Sequence, residues 1–187
     1  MKLSRILKFI HQGSLRVHFS QYGEDVILHK LFGSKFANGF YIDVGAHHPF
    51  RQSNTAYLWL LGWNGVNVDA SRKAIDLFRK VRPGDENVWT AVVDEATAAK
   101  QTEITLHSNQ EVDLGATCDP ELARKRGTTR SEVVPCTSLS SIINRHGERN
   151  GGVIDFLNID IEGFDEKAVE SLHLWKFLPR VICIEIY

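Results

Sequence analysis

Phe40-Tyr41-Ile42-Asp43-Val44-Gly45-Ala46 decides how this chain folds. Aromatic and β-branched residues dominate the run, and a glycine cuts it off after Val44, so it reads as a short strand that ends in a tight turn. On its N-terminal side, Ser20 is the expected cap of a helix through Val26, Ile27 and Leu31, with Glu24 and Asp25 in the first turn and Gly33 as its stop. On its C-terminal side, Ser53 to Leu61 is expected to be helical and to end at Gly62. Gly65 to Asp69 is a second strand. Ser71 then caps a helix through Ala74, Ile75 and Phe78, which Pro83-Gly84 closes. Asn87 to Val93 is expected to be a third strand.

Beyond Asp94 the alternation pauses. Glu103-Ile104-Thr105-Leu106 and Glu132-Val133-Val134-Pro135 read as strands on either side of a polar stretch, Ser108 to Arg130, which is expected to be a mobile loop or lid, with a small polar helix as the weaker reading. Leu139, Ile142 and Ile143 mark a helix, Val153 to Ile161 a further strand, and Ala168, Val169 and Leu172 another helix. Val181 to Ile186 is a nearly continuous apolar strand. Apolar strands alternating with helices specify a parallel sheet covered on both faces. The expected fold is therefore α/β, a Rossmann-like open and mostly parallel sheet with helices on both faces.

The chain has 187 residues, of which 43% are hydrophobic and 24% charged, with a net charge of −1. That is enough for one domain with its own core. The charge gives no general attraction to nucleic acid or to an anionic membrane, and no run of residues is apolar and long enough to span a bilayer. Cys118, Cys136 and Cys183 have neither metal-ligand spacing nor even number, which fits a reducing cytoplasm. Residues 1–19 read as an N-terminal extension in which Leu3, Ile6, Leu7 and Ile10 share one helical face, and residues 20–187 as the folded domain.

Ligands of such a sheet bind beyond the carboxyl ends of its strands. Here those ends carry Asp43, Asp69, Asp94 and the Asp160-Ile161-Glu162-Gly163 turn, a set of acids that would repel one another unless a polyol or cationic ligand shared the cleft. A dinucleotide would need a G-x-G-x-x-G turn, whereas Gly45-Ala46-His47-His48-Pro49 has one glycine, and Pro49 offers no N–H. S-adenosylmethionine has no phosphate to cradle. It asks for one close backbone approach, an acid for the ribose diol, a polar group for the adenine and an acceptor for the ammonium; Gly45, Asp69, Asp94 and Asp43 can fill those roles in turn. Ala46, Ala70, Ser71 and Val93 flank these positions. His47 and His48 follow the turn and are candidate general bases for methyl transfer to a hydroxyl, with Asp160 and Glu162 as rivals. A metal held by these four is the weaker reading.

In order along the chain, Ser20-Gln21-Tyr22-Gly23-Glu24-Asp25, Tyr41 to Ala46, Ser53-Asn54-Thr55, Ile159 to Gly163 and Val181 to Glu185 resemble the anchors of FkbM-family methyltransferases, a branch of the class I S-adenosylmethionine-dependent enzymes. The resemblance implies O-methylation of a sugar or glycosylated small molecule, and it adds Gln21, Tyr22, Asn54 and Asp160 to the residues expected around the cofactor. A non-catalytic binding domain of the same fold is the alternative. The chain departs from the family at His47 and Pro49, where Asn and Gly are common, at Asp69 for Glu, and at Asn158 for Lys. The fold class usually adds an antiparallel hairpin after the fifth parallel strand, and the expectation here is a sheet without it. The strand-five edge is therefore expected to be covered by a second copy in a homodimer, unless the chain is part of a longer enzyme.

Overall fold

The computed structural model describes residues 18–33 and 38–185. The expected helix at Leu3 to Ile10 lies outside them. Strands β1 (Phe40–Val44), β2 (Asn64–Asp69), β3 (Glu86–Trp89), β7 (Phe156–Ile159) and β8 (Val181–Ile184) form one sheet in the order β3-β2-β1-β7-β8. All neighbours are parallel, and Val44 is in register with Val68 on one side and Ile159 on the other. Strand order thus reverses at β1, because β2 and β3 extend the sheet on one side of it and β7 and β8 on the other. No described helix is long and apolar enough to cross a membrane.

The two faces of this sheet differ in chemistry. Ile42, Val44, Val66, Val68, Leu157 and Ile159 point to one side and pack against Leu139, Ile142 and Ile143 of helix α6 (Leu139–Arg149) and Ala168 of α7 (Asp165–Val169). Each such burial contributes roughly 1.5–3 kcal/mol. Tyr41, Asp43, Asn67 and Asn158 point to the other side, toward helices α1 (Glu24–Phe32) and α2 (Ala56–Leu60); Tyr41 and Phe156 pack there with Leu28, Leu58 and Trp63. Helix α3 (Arg72–Val81) joins β2 to β3. It is capped by the Ser71 side chain, which accepts from the Ala74 N–H, and it buries Ala74, Ile75 and Phe78.

Several boundaries differ from expectation for identifiable reasons. The third strand breaks at Thr90. Its N–H bonds the Asp69 carbonyl at 3.1 Å while its hydroxyl donates to the Pro135 carbonyl at 3.1 Å, so the chain leaves the main sheet there. Strand β4 (Ala91–Val93) then pairs in parallel with β6 (Arg130–Ser138), and β6 pairs antiparallel with β5 (Glu103–Ser108) in a second sheet ordered β4-β6-β5. Helix α1 starts after Gly23, at φ 91°, and not at Ser20. Ser20 instead exchanges hydrogen bonds with buried Asp25, at 2.8 and 3.3 Å. The 53–61 helix is confined to α2, because Ser53 and Thr55 turn their hydroxyls inward. After the short helix α4 (Glu95–Ala98), the polar stretch 108–130 is no structureless loop. It contains α5 (Pro120–Arg126), with Asp119 as N-cap, Pro120 in the first turn and Gly127 in the left-handed conformation at its end.

Candidate active site

The carboxyl ends of β1, β2 and β7 are drawn together at Gly45. The Gly45 and Ala46 N–H groups both donate to the Val68 carbonyl, at 2.9 and 3.1 Å, and the Asp160 N–H donates to the Val44 carbonyl at 2.9 Å. Gly45 has φ 80°, and a Cβ on it would lie 1.6 Å from the Asp160 carbonyl oxygen. No other residue fits. The glycine is therefore required first by the approach of two strand ends.

Asp69 closes β2 and props the turn that leaves β1. One carboxylate oxygen accepts the His47 N–H at 2.8 Å and the other the Ser71 N–H at 2.7 Å. Burial still dominates over these donors and lifts its pKa from 3.8 to about 6. His47, held at φ 52°, lines the same cleft; burial, with the like charges of His48 and Arg51, lowers its pKa to about 4. His48 faces its own turn, where Nδ1 accepts the Phe50 and Arg51 N–H groups at 3.0 Å each. In the neutral ring the proton then sits on Nε2, so His48 presents a donor and no free acceptor.

The cleft has two lobes that meet at Asp160. In the first, Val68, Ala91, Val92, Leu106, Leu114 and Ala116 form an apolar slot with Asp69, Ser71 and His47 at its mouth. Its outer wall is the segment 108–130. That wall is held down by Glu162, whose carboxylate takes Arg126 Nη2 at 2.6 Å and whose carbonyl takes the Thr117 hydroxyl at 2.6 Å. In the second lobe, Gln21, Tyr22, Gln52, Asn54, Asn158 and Glu185 surround a polar hollow. The carboxylates of Asp160, Glu162 and Glu185 come within 4.8 Å of one another. Arg126 offsets Glu162. Asp160 and Glu185 hydrogen-bond to each other, and burial followed by the Glu185 charge holds the Asp160 proton well above the usual carboxylate range. Of the four non-glycine residues with positive φ among those described, His47, Gln52 and Glu162 all line this cleft. Strained backbone concentrates where geometry serves a ligand.

Gly45, His47, Asp69, Ala70, Ser71, Asp160 and Glu162 are thus brought together in the first lobe, and Gln21, Tyr22, Asn54 and Asp160 in the second. Four expected contacts lie elsewhere, and His48 turns away into its own loop. Asp43 is buried beneath the cleft, bonded to Thr55 at 2.6 Å and Asn158 at 2.9 Å. Ala46 and Val93 are packed into the interior. Asp94 is the N-cap of α4 and spends both oxygens on Thr97, at 2.9 and 2.7 Å. The break at Thr90 is the cause, since it presents Thr90, Ala91 and Val92 to the cleft and carries Asp94 past it. Glu185 was legible as the one acid in an apolar strand, whereas Asp113 and Leu114 carried no signal within a polar stretch.

Residues 43–187 match the family model for the Methyltransferase FkbM domain. The chain belongs to this family. No curated protein and no solved structure matches it. The match starts inside β1 and takes in the carboxyl ends of all the parallel strands, so it covers the first lobe and all of the second except Gln21, Tyr22 and Glu24. Membership of a methyltransferase family implies a methyl donor and an acceptor. Gly45→Ala should abolish the cleft: the variant is expected to lose cooperative thermal unfolding or to melt far below the wild type by circular dichroism. A wild-type melting curve would show that β1 and β7 do not approach this closely.

Proposed function

We propose that this FkbM-domain protein transfers a methyl group from S-adenosylmethionine to a hydroxyl of a sugar or glycosylated small molecule. The observation that carries the reading is the first lobe, an apolar slot with a carboxylate, Asp69, at its mouth beside the Gly45 turn. A flat base and a ribose diol need those two features side by side. The residues fit the donor: each Asp69 oxygen holds a single backbone N–H and retains a lone pair for a ribose hydroxyl. When bound, S-adenosylmethionine would supply an electrophilic methyl on a positively charged sulfur.

The protein's own part is alignment and proton removal. Holding an acceptor oxygen in line is worth roughly 7–11 kcal/mol in favourable cases. The amides and carboxylates of the second lobe suit a polyhydroxylated acceptor, and Asp160 stands where the two lobes meet. A base works best with a pKa near the working pH. Asp160, supported by Glu185, meets that condition better than His47, whose pKa of about 4 makes it a weak proton acceptor. Asp160 is accordingly assigned as the base that takes the acceptor's proton, and His47 as a wall of the cleft. The three free thiols are consistent with a cytoplasmic site of action. Pairing of two copies along the side of β8 that no other described strand occupies would cover that edge, and Ile182 of β8 is exposed.

Binding, turnover and assembly each test this reading. S-adenosylhomocysteine should bind more tightly as pH rises through about 6, because only the ionised Asp69 accepts from both ribose hydroxyls; the same ionisation makes the free fold less stable from about pH 4 to 6. Asp69→Asn should weaken binding roughly tenfold or more, on the scale of a charged hydrogen bond. Folded protein that ignores millimolar ligand in calorimetry overturns the methyltransferase reading. With an acceptor in hand, kcat/KM should climb with pH well above the ordinary carboxylate range and collapse in Asp160→Asn; a rate flat above pH 5 that is lost in His47→Gln assigns the base to His47 instead. Light scattering at micromolar concentration should report a dimer, and a monomer would remove the edge pairing.

A further inference from the structure

A charged side chain is buried beneath the cleft. Arg82 comes directly after the last turn of α3 and has no solvent exposure. Its Nη1 donates to Thr55 Oγ1 at 2.9 Å and to Tyr41 Oη at 3.2 Å. Its Nη2 donates to Ser53 Oγ at 3.2 Å and to the Pro49 carbonyl. Asp85, also buried, shares Tyr41 with the guanidinium: it accepts from Tyr41 Oη, from Asn67 Nδ2 at 3.0 Å and from the Gly65 N–H at 3.2 Å. A guanidinium taken out of water is costly unless its hydrogens are bonded; both Nη groups are bonded here, whereas Nε has no partner among the described residues.

The distribution of these bonds is informative. Tyr41 belongs to the sheet, but Pro49, Ser53 and Thr55 belong to the turn that leaves the cleft. From Thr55 the bonding continues: its hydroxyl donates to Asp43 at 2.6 Å, Asn158 Nδ2 donates to the same carboxylate at 2.9 Å, and Asn54 Nδ2 donates to Asn158 Oδ1 at 2.8 Å. Asn54 and Asn158 form part of the second lobe. An unbroken chain thus runs from the guanidinium to the cleft wall. A planar fork can reach a carbonyl and three hydroxyls at once, and a lysine ammonium cannot span the same set.

We propose that Arg82 is a positioning residue: it fixes the 46–56 turn against the sheet and thereby places His47, Gln52 and Asn54 around the cleft. Its effect on ligand binding rests on the methyltransferase reading, whereas its effect on the turn does not. Arg82→Lys keeps the charge and loses the fork. Thr55→Val removes one partner and the donor to Asp43, and leaves the other guanidinium bonds in place.

Amide hydrogen exchange, well below the melting temperature, separates positioning from general stability. The His47, Phe50, Arg51, Ser53 and Ala56 amides are all hydrogen-bonded and serve as reporters. Both variants should exchange there about tenfold faster or more, with the β1 and β7 amides essentially unchanged, and should bind S-adenosylhomocysteine roughly tenfold more weakly. Protection lost evenly across turn and sheet, or a turn unchanged in Thr55→Val, overturns the proposal. Should Arg82→Lys not fold, Thr55→Val alone decides. Wild-type protein that binds no S-adenosylhomocysteine would count against the methyltransferase reading, and the exchange comparison would still decide the role of Arg82.

Discussion

The architecture depends on the contact between Gly45 and the Asp160 carbonyl. Adjacent parallel strands normally diverge at their carboxyl ends as their connections leave for opposite faces, and the cleft opens at that divergence. Here the two ends stay locked by the Asp160 N–H to Val44 bond, and the absent Cβ lets the backbones touch. Asp160 is thereby fixed in the gap between two lobes. Asp69 is fixed from the other side, because its carboxylate holds the His47 N–H of the same turn. One turn therefore sets the relative position of both acids.

Much of the fold was legible because its signals are local. Strands β1, β2, β7 and β8 end at a glycine or an acid (Gly45, Asp69, Asp160 and Glu185), and Ser71, Asp94, Asp119 and Ser138 cap helices with their side chains. The errors came where a tertiary bond overrides the local pattern. Asn87 to Val93 reads as one strand, yet Thr90 is shared between Asp69 and Pro135 and divides it between two sheets. Ser20 reads as a helix cap, yet Asp25 claims it.

The site was less legible than the fold for a related reason. Position at a strand end suggests a ligand contact, but whether the side chain points into the cleft depends on pleat and on neighbours absent from the local sequence. Asp43 alternates to the polar underside with Tyr41 and is consumed by Thr55 and Asn158, whereas Asp69 and Asp160, at the very ends of their strands, line the cleft. Arg82 escaped notice because, in sequence, it is one more basic residue at a helix end, after Arg79 and Lys80. Only the folded sheet reveals that it is buried. The underside network runs through Asn158 and Asn54 into the wall of the second lobe, so a change in one is felt in the other.

The most direct test is a crystal structure with S-adenosylhomocysteine bound. The ribose hydroxyls should sit on the Asp69 carboxylate, with the base in the slot between Ala91, Val92 and Leu106 and the sulfur directed toward Asp160. A ligand seated away from Asp69, or with its sulfur end pointing away from Asp160, would contradict the assignment of the two lobes.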